Sequence, residues 1–399
     1  MSETPWLTIL GLGEDGLDGL SPASRQELER AEVIMGPPRH LSLVPETGAE
    51  RIEWPVPFAD GLPILQGLKG RRTVVLASGD PFWFGAGSVI ARNFAPWEWV
   101  ARPGQSTFSL AAARLGWPLE NVATFGLHAA PLTRLRPHLS RGLRAIVLLR
   151  DGAAVAELAR YLTETGFGET TLHVMEALGG PRERARSMSL TEALLDSFEH
   201  PVCVALEVAG DGPALPLASG KPDEIFETDG QITKRPVRAL TLSALAPARC
   251  EHLWDVGGGS GSIGIEWLMC DPSLTATTIE PRADRAARIR ANADALGQDR
   301  LQVIQGRAPE ALDGLPLPDV VFIGGGLSNA LLDWLAANLP SGTRLVANAV
   351  TLESEAVLSQ WHAKLGGDLL RIELAQAGDL GPRRGWKSAY PVVQWSVTL

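Results

Sequence analysis

The amino-acid sequence predicts an α/β protein with two domains of different fold. Short apolar strands such as residues 6–10 and 73–77 alternate with amphipathic helices along the 399 residues, a pattern typical of parallel sheets. Glycine-containing turns follow several of these strands, where α/β proteins bind their ligands. A stretch rich in Gly, Pro and Ser, residues 209–228, has the composition of a linker. We therefore expect one domain at residues 1–208 and another at residues 229–399.

Composition and charge argue against several classes of protein. The chain carries 36 basic and 46 acidic side chains, a formal net charge of −10, whereas nucleic-acid-binding proteins normally have a basic excess. No apolar run reaches the roughly 18 residues of a membrane span, and the N-terminus lacks the basic region of a secretory signal. We expect a cytoplasmic protein with neither nucleic acid nor membrane as a partner. No metal site is expected, and three widely spaced cysteines are interpreted as buried structural thiols: Cys203, Cys250 and Cys270.

The first half of the sequence predicts two α/β lobes with a cleft between them. The strands of the first lobe are predicted at residues 6–10, 32–35, 73–77 and 97–101. A helix over residues 22–31 is predicted to begin after Ser21, with Pro22 in its first turn. The second lobe is predicted from strands at residues 145–149, 171–175 and 202–208 and a helix over residues 155–164.

Three glycine-containing segments follow predicted strands of the first half. They read GLGEDGLDGLSPASRQEL from residue 11, ASGDPFWFGAG from residue 77 and PGQSTFSLAAARLG from residue 103. In this order and spacing they make residues 6–208 resemble the tetrapyrrole methylases, two-lobed enzymes that methylate corrin and sirohaem precursors with S-adenosylmethionine. The family's first loop usually reads G-x-G-P-G-D. Glu14 and Asp15 replace Pro and Gly here, as in the branch that methylates C-5 of a precorrin.

This resemblance implies a site for S-adenosylmethionine in the first half, with Asp15 as a candidate catalytic residue. The cofactor-lining residues that it implies are Gly11, Gly79, Asp80, Pro81, Ser106 and Thr107. Each segment also has a plain structural explanation. Gly79-Asp80-Pro81 is a common turn signature, and Ser106 and Thr107 could simply cap the helix predicted from residue 108.

The most glycine-rich turn of the chain, LWDVGGGSGSIGIE, occupies residues 253–266 of the second half. Such a turn lets the backbone approach a ligand closely and directs helix N-terminal amides at it. The dinucleotide pattern G-x-G-x-x-G fits Gly259, Gly261 and Gly264, with Glu280 about 20 residues on as the ribose acid. The Asp-x-Gly-x-Gly turn of seven-stranded S-adenosylmethionine-dependent methyltransferases also fits, again with Glu280 at the ribose. Its residues would be Asp255, Gly257, Gly259 and Gly261.

Three further features favour the methyltransferase interpretation. A basic segment containing Thr233 precedes the first strand, Gly306 and Ala308 follow the third, and three glycines end the fourth, where a methyl acceptor would lie. The runs ITKRPVRALTLSAL, QGRAPEAL, VFIGGG and VANAVTLESE make residues 229–399 resemble the decarboxylating C-15 precorrin methylases. Gly258 occupies the middle of what is usually a Gly-Cys-Gly turn. The three candidate catalytic glycines beside the acceptor are Gly324, Gly325 and Gly326.

Together the resemblances imply a Rossmann-like class I methyltransferase domain behind a two-lobed tetrapyrrole-methylase-like domain, with one S-adenosylmethionine per domain. The implied substrate is a precorrin-6 type tetrapyrrole of cobalamin biosynthesis, methylated at C-5 and C-15 with decarboxylation of the ring C acetate. The family resemblance also implies a homo-oligomer. A two-domain RNA methyltransferase and an NAD-dependent oxidoreductase remain as alternatives.

A polycarboxylate substrate needs local cations on an acidic protein, and arginine forks suit carboxylates. The candidate substrate-binding residues are Lys234, Arg235, Arg238, Arg383, Arg384 and Lys387. No catalytic triad is required, because the alignment of two reactants alone can supply about 7–11 kcal/mol.

Overall fold

The computed structural model describes residues 5–399. It divides into two compact units, of which the first comprises Met1–Ala130 and Leu139–Pro213 and the second Pro131–His138 and Ala214–Leu399. The described helices include none with the length and apolar character needed to span a membrane.

The first unit contains two five-stranded sheets. The strands of the first sheet are β1 (Leu7–Leu12), β2 (Val33–Gly36), β3 (Glu50–Glu53), β4 (Thr73–Ser78) and β5 (Trp99–Arg102). They are all parallel, in the order β3-β2-β4-β1-β5. The strands of the second sheet are β6 (Ala123–Gly126), β7 (Arg144–Leu148), β8 (Thr171–Glu176), β9 (Arg184–Ser189) and β10 (Val202–Glu207). Their order is β6-β7-β10-β8-β9, and only the β6–β7 pair is parallel.

The helices of the first unit begin and end at residues whose chemistry explains them. They are α1 (Pro22–Arg30), α2 (Pro38–Ser42), α3 (Gly61–Gly67), α4 (Gly87–Asn93), α5 (Thr107–Leu115), α6 (Ala153–Glu164) and α7 (Leu190–Ala193). Ser21 caps α1, because its Oγ accepts the Ser24 amide at 3.1 Å, and Gly116 ends α5 in the left-handed conformation. The predicted strands and the three predicted helices of this half are confirmed within a few residues. The strands β3, β6 and β9 lack a continuous apolar run and were not predicted.

The second unit is a single seven-stranded sheet covered by helices on both faces. Its strands are β11 (His252–Val256), β12 (Thr275–Glu280), β13 (Gln302–Gln305), β14 (Val320–Ile323), β15 (Arg344–Ala349), β16 (Asp368–Ile372) and β19 (Val392–Thr398). The hairpin strands β17 (Ala375–Leu380) and β18 (Arg383–Ser388) form a separate two-stranded sheet. The helices are α8 (Arg235–Leu245), α9 (Ser262–Cys270), α10 (Ala283–Ala295), α11 (Asn329–Asn338) and α12 (Leu352–Leu365).

Strand order distinguishes between the two folds that the glycine-rich turn allows. The order is β13-β12-β11-β14-β15-β19-β16, and β19 runs antiparallel to both of its neighbours. The usual dinucleotide-binding sheet has six strands in the order 3-2-1-4-5-6, without such an inserted strand. The sheet is therefore that of the seven-stranded methyltransferases. The helix α12 and the strands β16 and β19 were not predicted from the sequence.

Much of the predicted linker, residues 209–228, is an ordered part of the second unit. Leu215 and Phe226 are buried in its hydrophobic core. The carboxylate of Glu266, on α9, accepts the backbone amides of Gly220 at 2.7 Å and Lys221 at 2.9 Å. These contacts fasten the segment to the outside of the sheet before α8 begins.

Arg238 completes this arrangement and was wrongly predicted to bind the substrate. Its side chain is 0 % exposed and pairs with Glu266 at 2.6 Å and Asp223 at 2.9 Å. It also donates to the carbonyls of Lys221 and Thr233. Because a buried charge must be paired to be tolerated, Arg238 is a structural residue and its guanidinium is not available to a ligand.

The cysteines also depart from expectation. Cys203 is buried, and burial raises the pKa of its thiol to about 12. Cys250 and Cys270 are exposed, so the interpretation of all three as buried thiols was wrong. None of the three is in a disulfide.

Replacement of Arg238 by Met is expected to lower the free energy of unfolding of the second unit by about 3–5 kcal/mol, because Glu266 would remain buried without its cation. Urea denaturation of the full chain, followed by far-UV circular dichroism, measures the change. Arg235→Met is the matched control, since Arg235 is exposed on the same helix. If Arg238→Met lowered the free energy of unfolding no more than Arg235→Met does, the structural role of Arg238 would be contradicted.

Candidate functional site

Three loops of the first unit meet at the carboxyl edge of its parallel sheet, with glycine at each meeting point. A Cβ on Gly11 would lie 1.8 Å from the carbonyl oxygen of Gly79 and 2.5 Å from the amide nitrogen of Gly104. Gly79 has a φ of +51° and donates its amide to Leu12 at 3.0 Å. Its carbonyl accepts the Gly104 amide at 3.0 Å. Side chains at these positions would force apart the ends of β1, β4 and β5.

A cavity of about 850 Å³ opens beside these loops, between the two sheets of the first unit. Four of the predicted cofactor residues line it, namely Gly79, Asp80, Ser106 and Thr107. Gly11 and Pro81 do not line it; both support the lining loops through backbone contacts.

The structural explanations of two of these residues are confirmed. The Oδ1 of Asp80 accepts the Phe82 amide at 2.9 Å and shapes the turn. Ser106 caps α5, with its Oγ accepting the Ser109 amide at 3.0 Å. Turn formation and capping therefore place these same residues at the cavity wall.

Asp15 is not among the cavity-lining residues. Its carboxylate packs against Gly19, where a Cβ would lie 2.2 Å from its Oδ2. The neighbouring Glu14 lines the cavity instead and is 8 % exposed. The structure thus directs the acidic side chain at position 14, rather than position 15, towards the cavity.

Glu14 belongs to a polar cluster that sequence reasoning missed. It forms ion pairs with Arg39 and, at 3.4 Å, with Arg182. The Nη2 of Arg39 lies 2.7 Å from the Nε2 of His40 and 3.0 Å from the Oγ of Ser78. Burial, reinforced by the charge of Arg39, lowers the pKa of His40 to about 3, so its imidazole is neutral at physiological pH. The available signal was the run GPPRH directly after β2, at the same edge of the sheet as the glycine loops.

Aromatic side chains form part of the cavity wall. Trp83 and Phe84 line it, and their rings lie 5.0 Å and 5.8 Å from the ring of Phe108. Phe84 has a φ of +56°, which is costly for a bulky side chain. The loop therefore carries backbone strain while it presents flat apolar surfaces, which suit a planar conjugated ligand.

In the second unit, the glycine turns after β11 and β14 meet at the carboxyl edge of the sheet. A Cβ on Gly257 would lie 2.6 Å from the Cα of Gly325, and Gly257 has a φ of +77°. The amides of Gly324 and Gly325 both donate to Val256, at 2.9 Å and 3.3 Å. The structure therefore brings the predicted cofactor turn into contact with the predicted acceptor turn.

Glu280 and Asp255 hold the glycine-rich turn in different ways. The Oε2 of Glu280 accepts the Gly259 amide at 3.0 Å. Asp255 is 1 % exposed, and its Oδ2 accepts the hydroxyl of Thr278 and the amide of Gly264, each at 3.2 Å. Burial raises the pKa of Asp255 to about 6, and these hydrogen bonds oppose the shift. Asp255 is therefore a support beneath the turn rather than a group that faces a ligand.

The other predicted cofactor residues are held by backbone hydrogen bonds or packing contacts. The Gly306 amide donates to the carbonyl of Glu280 at 3.1 Å, and Ala308 packs against the hydrophobic core. The carbonyl of Thr233 is held by Arg238. Gly261, with a φ of +79°, forms the N-cap of α9.

The candidate cations lie in two places. Lys234 and Arg235 are exposed at the start of α8, where Lys234 is 3.7 Å from Asp223. The side chains of Arg383, Arg384 and Lys387 are exposed on the separate hairpin. Within residues 5–399, no hydrogen bond or ion pair joins these hairpin cations to the glycine turns. The same residues contain no group of three or more His, Cys, Asp or Glu that could hold a metal ion.

These folds and sites define a chain with two methyltransferase domains of unrelated fold. The family model for tetrapyrrole (corrin/porphyrin) methylases matches residues 7–194, and the model for the precorrin methyltransferase domain matches residues 224–399. A precorrin-6Y C(5,15)-methyltransferase [decarboxylating] of Sinorhizobium sp is 50 % identical, over 99 % of this chain and 97 % of its own length. Its namesake in Mycobacterium tuberculosis is 43 % identical, over 98 % and 99 %.

The chain belongs to the family of decarboxylating precorrin-6Y C(5,15)-methyltransferases. It is a methyltransferase, and its methyl donor is S-adenosylmethionine. Among solved structures, the C-terminal domain of precorrin-6Y C5,15-methyltransferase from Rhodobacter capsulatus is 55 % identical. That match covers 46 % of this chain and 100 % of the other, with a TM-score of 0.45.

Gly258→Ala is expected to destabilise the second unit by about 1–3 kcal/mol through overpacking, because its Cβ would lie 2.1 Å from the Cγ2 of Thr278. Thr278→Ser removes that methyl group and keeps the hydroxyl that donates to Asp255. The double variant should recover most of the loss. Urea denaturation of both single variants and the double variant measures the coupling; strictly additive losses would contradict the proposed clash.

The stability difference between the wild type and Asp255→Asn is expected to depend on pH. Because the pKa of Asp255 is raised from 3.8 to about 6, the folded state binds this proton more tightly than the unfolded state. Its contribution is fully present below the unfolded pKa and is lost as the pH rises through about 6. Relative to the Asn variant, the free energy of unfolding of the wild type should fall by about 2 kcal/mol between about pH 4 and pH 7. A flat difference across that range, measured by urea denaturation, would show that Asp255 is not held in this way.

Proposed function

We propose that the chain methylates a precorrin-6 type tetrapyrrole at C-5 in the first unit and at C-15 in the second. The second reaction is accompanied by decarboxylation of the ring C acetate, and the pathway is cobalamin biosynthesis. The observation that carries this proposal is the presence of two separate glycine-built sites on unrelated folds in one chain. The printed names of the full-length relatives, which join C5 and C15 methylation to decarboxylation, support it.

One S-adenosylmethionine per domain is part of the proposal, and the residues present fit such a ligand. In the first unit the backbone at Gly79 and Asp80 borders a cavity of about 850 Å³. In the second unit a left-handed glycine backbone runs into the N-terminus of α9, where amides and the helix dipole can meet a polar ligand. Glu280 lies beside that turn and is proposed to receive the ribose hydroxyls.

The proposed contribution of each site is chiefly alignment and exclusion of water. The acceptor is an electron-rich carbon that is already nucleophilic and needs no catalytic base to activate it, and bound S-adenosylmethionine supplies the methyl group. Effective molarities from such alignment contribute about 7–11 kcal/mol. In the second unit, a Cβ added to Gly326 would meet no atom within 4 Å. The turn after β14 therefore has open space at Gly326, where we propose that the macrocycle approaches.

Charge complementarity would hold the substrate's carboxylates. Lys234 and Arg235 at the start of α8, together with Arg383, Arg384 and Lys387 of the hairpin, are the exposed cations proposed for this role in the second unit. In the decarboxylation, the bond between the acetate methylene and its carboxyl carbon breaks and CO2 leaves. The electron pair enters the conjugated macrocycle, which afterwards takes up a proton.

The proposal extends to the organisation of the chain. We assign C-5 methylation to residues 1–208 and C-15 methylation with decarboxylation to residues 229–399, joined by residues 209–228. A cytoplasmic homo-oligomer without a nucleic-acid or membrane partner is part of the same proposal.

Product mass tests this assignment with one variant in each unit of the full chain. Gly79→Val should abolish C-5 methylation, because its φ is +51° and its Cβ would lie 2.8 Å from the Gln105 carbonyl oxygen. The product should then show one methyl gained and one CO2 lost. Gly257→Val should leave one methyl gained and the carboxyl retained. If either variant removed both methylations while the chain stayed folded, the two-site assignment would fail.

A further inference from the structure

The cavity of the first unit holds a cation for which no function has been assigned. Among its lining residues, all within 5–399, Arg39 is the only arginine or lysine. It lies on α2, which begins directly after β2 at the carboxyl edge of the parallel sheet. Its side chain is 26 % exposed, whereas the adjacent His40 is 3 % exposed. The cation is therefore partly desolvated but still open to the cavity.

The guanidinium of Arg39 is held in place by three neighbours. Its Nη1 pairs with Glu14, and its Nη2 contacts Ser78 at 3.0 Å and the neutral imidazole of His40 at 2.7 Å. A free arginine would lose side-chain entropy on binding a ligand. Much of that side-chain entropy is already lost in the folded protein, since these contacts restrict the side chain before a ligand binds.

Arg39 shares its acidic partner with a second cation. Glu14 is shared between Arg39 and Arg182. Burial, together with the nearby charge of Arg182, lowers the pKa of Arg39 to about 10, so the side chain stays protonated at neutral pH. The second acidic partner of Arg182, Glu199, is 79 % exposed and lies 3.5 Å away. Glu14 thus faces two cations at once, and it is the only ion-pair partner of Arg39 among the described residues.

We infer that Arg39 is the carboxylate anchor of the first unit, with Glu14, Ser78 and His40 as its positioning residues. The ligand group is a carboxylate from one of two sources, either a side chain of the tetrapyrrole or the amino-acid carboxylate of S-adenosylmethionine. The inference rests on the proposed function, since it assumes that such ligands enter this cavity. Arginine suits the role because its planar fork matches a carboxylate.

Arg39→Gln in the full chain tests the inference, with Arg71→Gln as the matched control on the surface of the same unit. Calorimetry would measure the binding of S-adenosylhomocysteine and of 5′-methylthioadenosine, which lacks the amino-acid part. Steady-state assays would follow C-5 and C-15 methylation separately. Loss of a charged hydrogen bond is expected to weaken binding of the affected ligand roughly tenfold or more. C-15 methylation in the same sample is the internal control and should not change.

Two outcomes support the inference and identify the source. A roughly tenfold rise in the KM for the tetrapyrrole in C-5 methylation, with unchanged nucleoside binding, assigns Arg39 to the acceptor. A similar loss of S-adenosylhomocysteine affinity at one of two sites, with unchanged methylthioadenosine binding, assigns it to the cofactor. Arg39→Lys keeps the charge without the planar guanidinium and should give an intermediate effect in either case. It replaces Arg39→Gln in the test if that variant does not fold.

Other outcomes overturn the inference. If Arg39→Gln or, where that variant does not fold, Arg39→Lys matched Arg71→Gln in every assay, Arg39 would have only a structural role, although the two-site function would stand. A wild-type chain that bound no S-adenosylhomocysteine would instead refute the proposed function itself. The two failures are therefore distinguishable.

Discussion

Backbone-to-backbone contact between glycine loops is the constraint on which both sites depend. In the first unit, Gly11, Gly79 and Gly104 let the ends of three parallel strands touch. In the second, Gly257 and Gly325 do the same for two strands of an unrelated sheet. The positive φ angles of Gly79 and Gly257 disfavour other residues. Both folds thus reach the same solution, in which the loops at a carboxyl edge carry no side chains where they meet.

Buried charge arranges what surrounds these loops. Glu266 and Arg238 neutralise each other in the interior of the second unit and thereby order the segment that leads into α8. The corresponding acid in the first unit, Glu14, is shared between two arginines beside an open cavity. The pair of Glu266 and Arg238 is buried, and both side chains have their polar partners. In the first unit, Arg39 shares its only carboxylate partner among the described residues and stays partly exposed to the cavity, and this difference separates a structural ion pair from the proposed binding group.

Local patterns in the sequence predicted the fold to a large extent, and long-range contacts explain what was missed. Alternating strands and helices, the Ser21 cap and the glycine turns were all readable, because each depends on neighbouring residues. The antiparallel β19 was not readable, since its place between β15 and β16 is set by pairing with strands far from it along the chain. Arg238 looked like part of a surface cluster, and only its contacts with Glu266 and Asp223 revealed it to be interior. Arg39 became a candidate only when folding brought Glu14 and Ser78 to it. The roles proposed for the cofactor and acceptor residues remain predictions.

The central claim is that one chain carries two independent sites for the same methyl donor. Isothermal titration of the full chain with S-adenosylhomocysteine, before and after Gly79→Val, tests it most directly. The wild type should bind about two molecules per chain, and the variant should bind about one with an unchanged affinity at the remaining site. A single site in the wild type, or loss of all binding in a variant that is still folded, would contradict the claim.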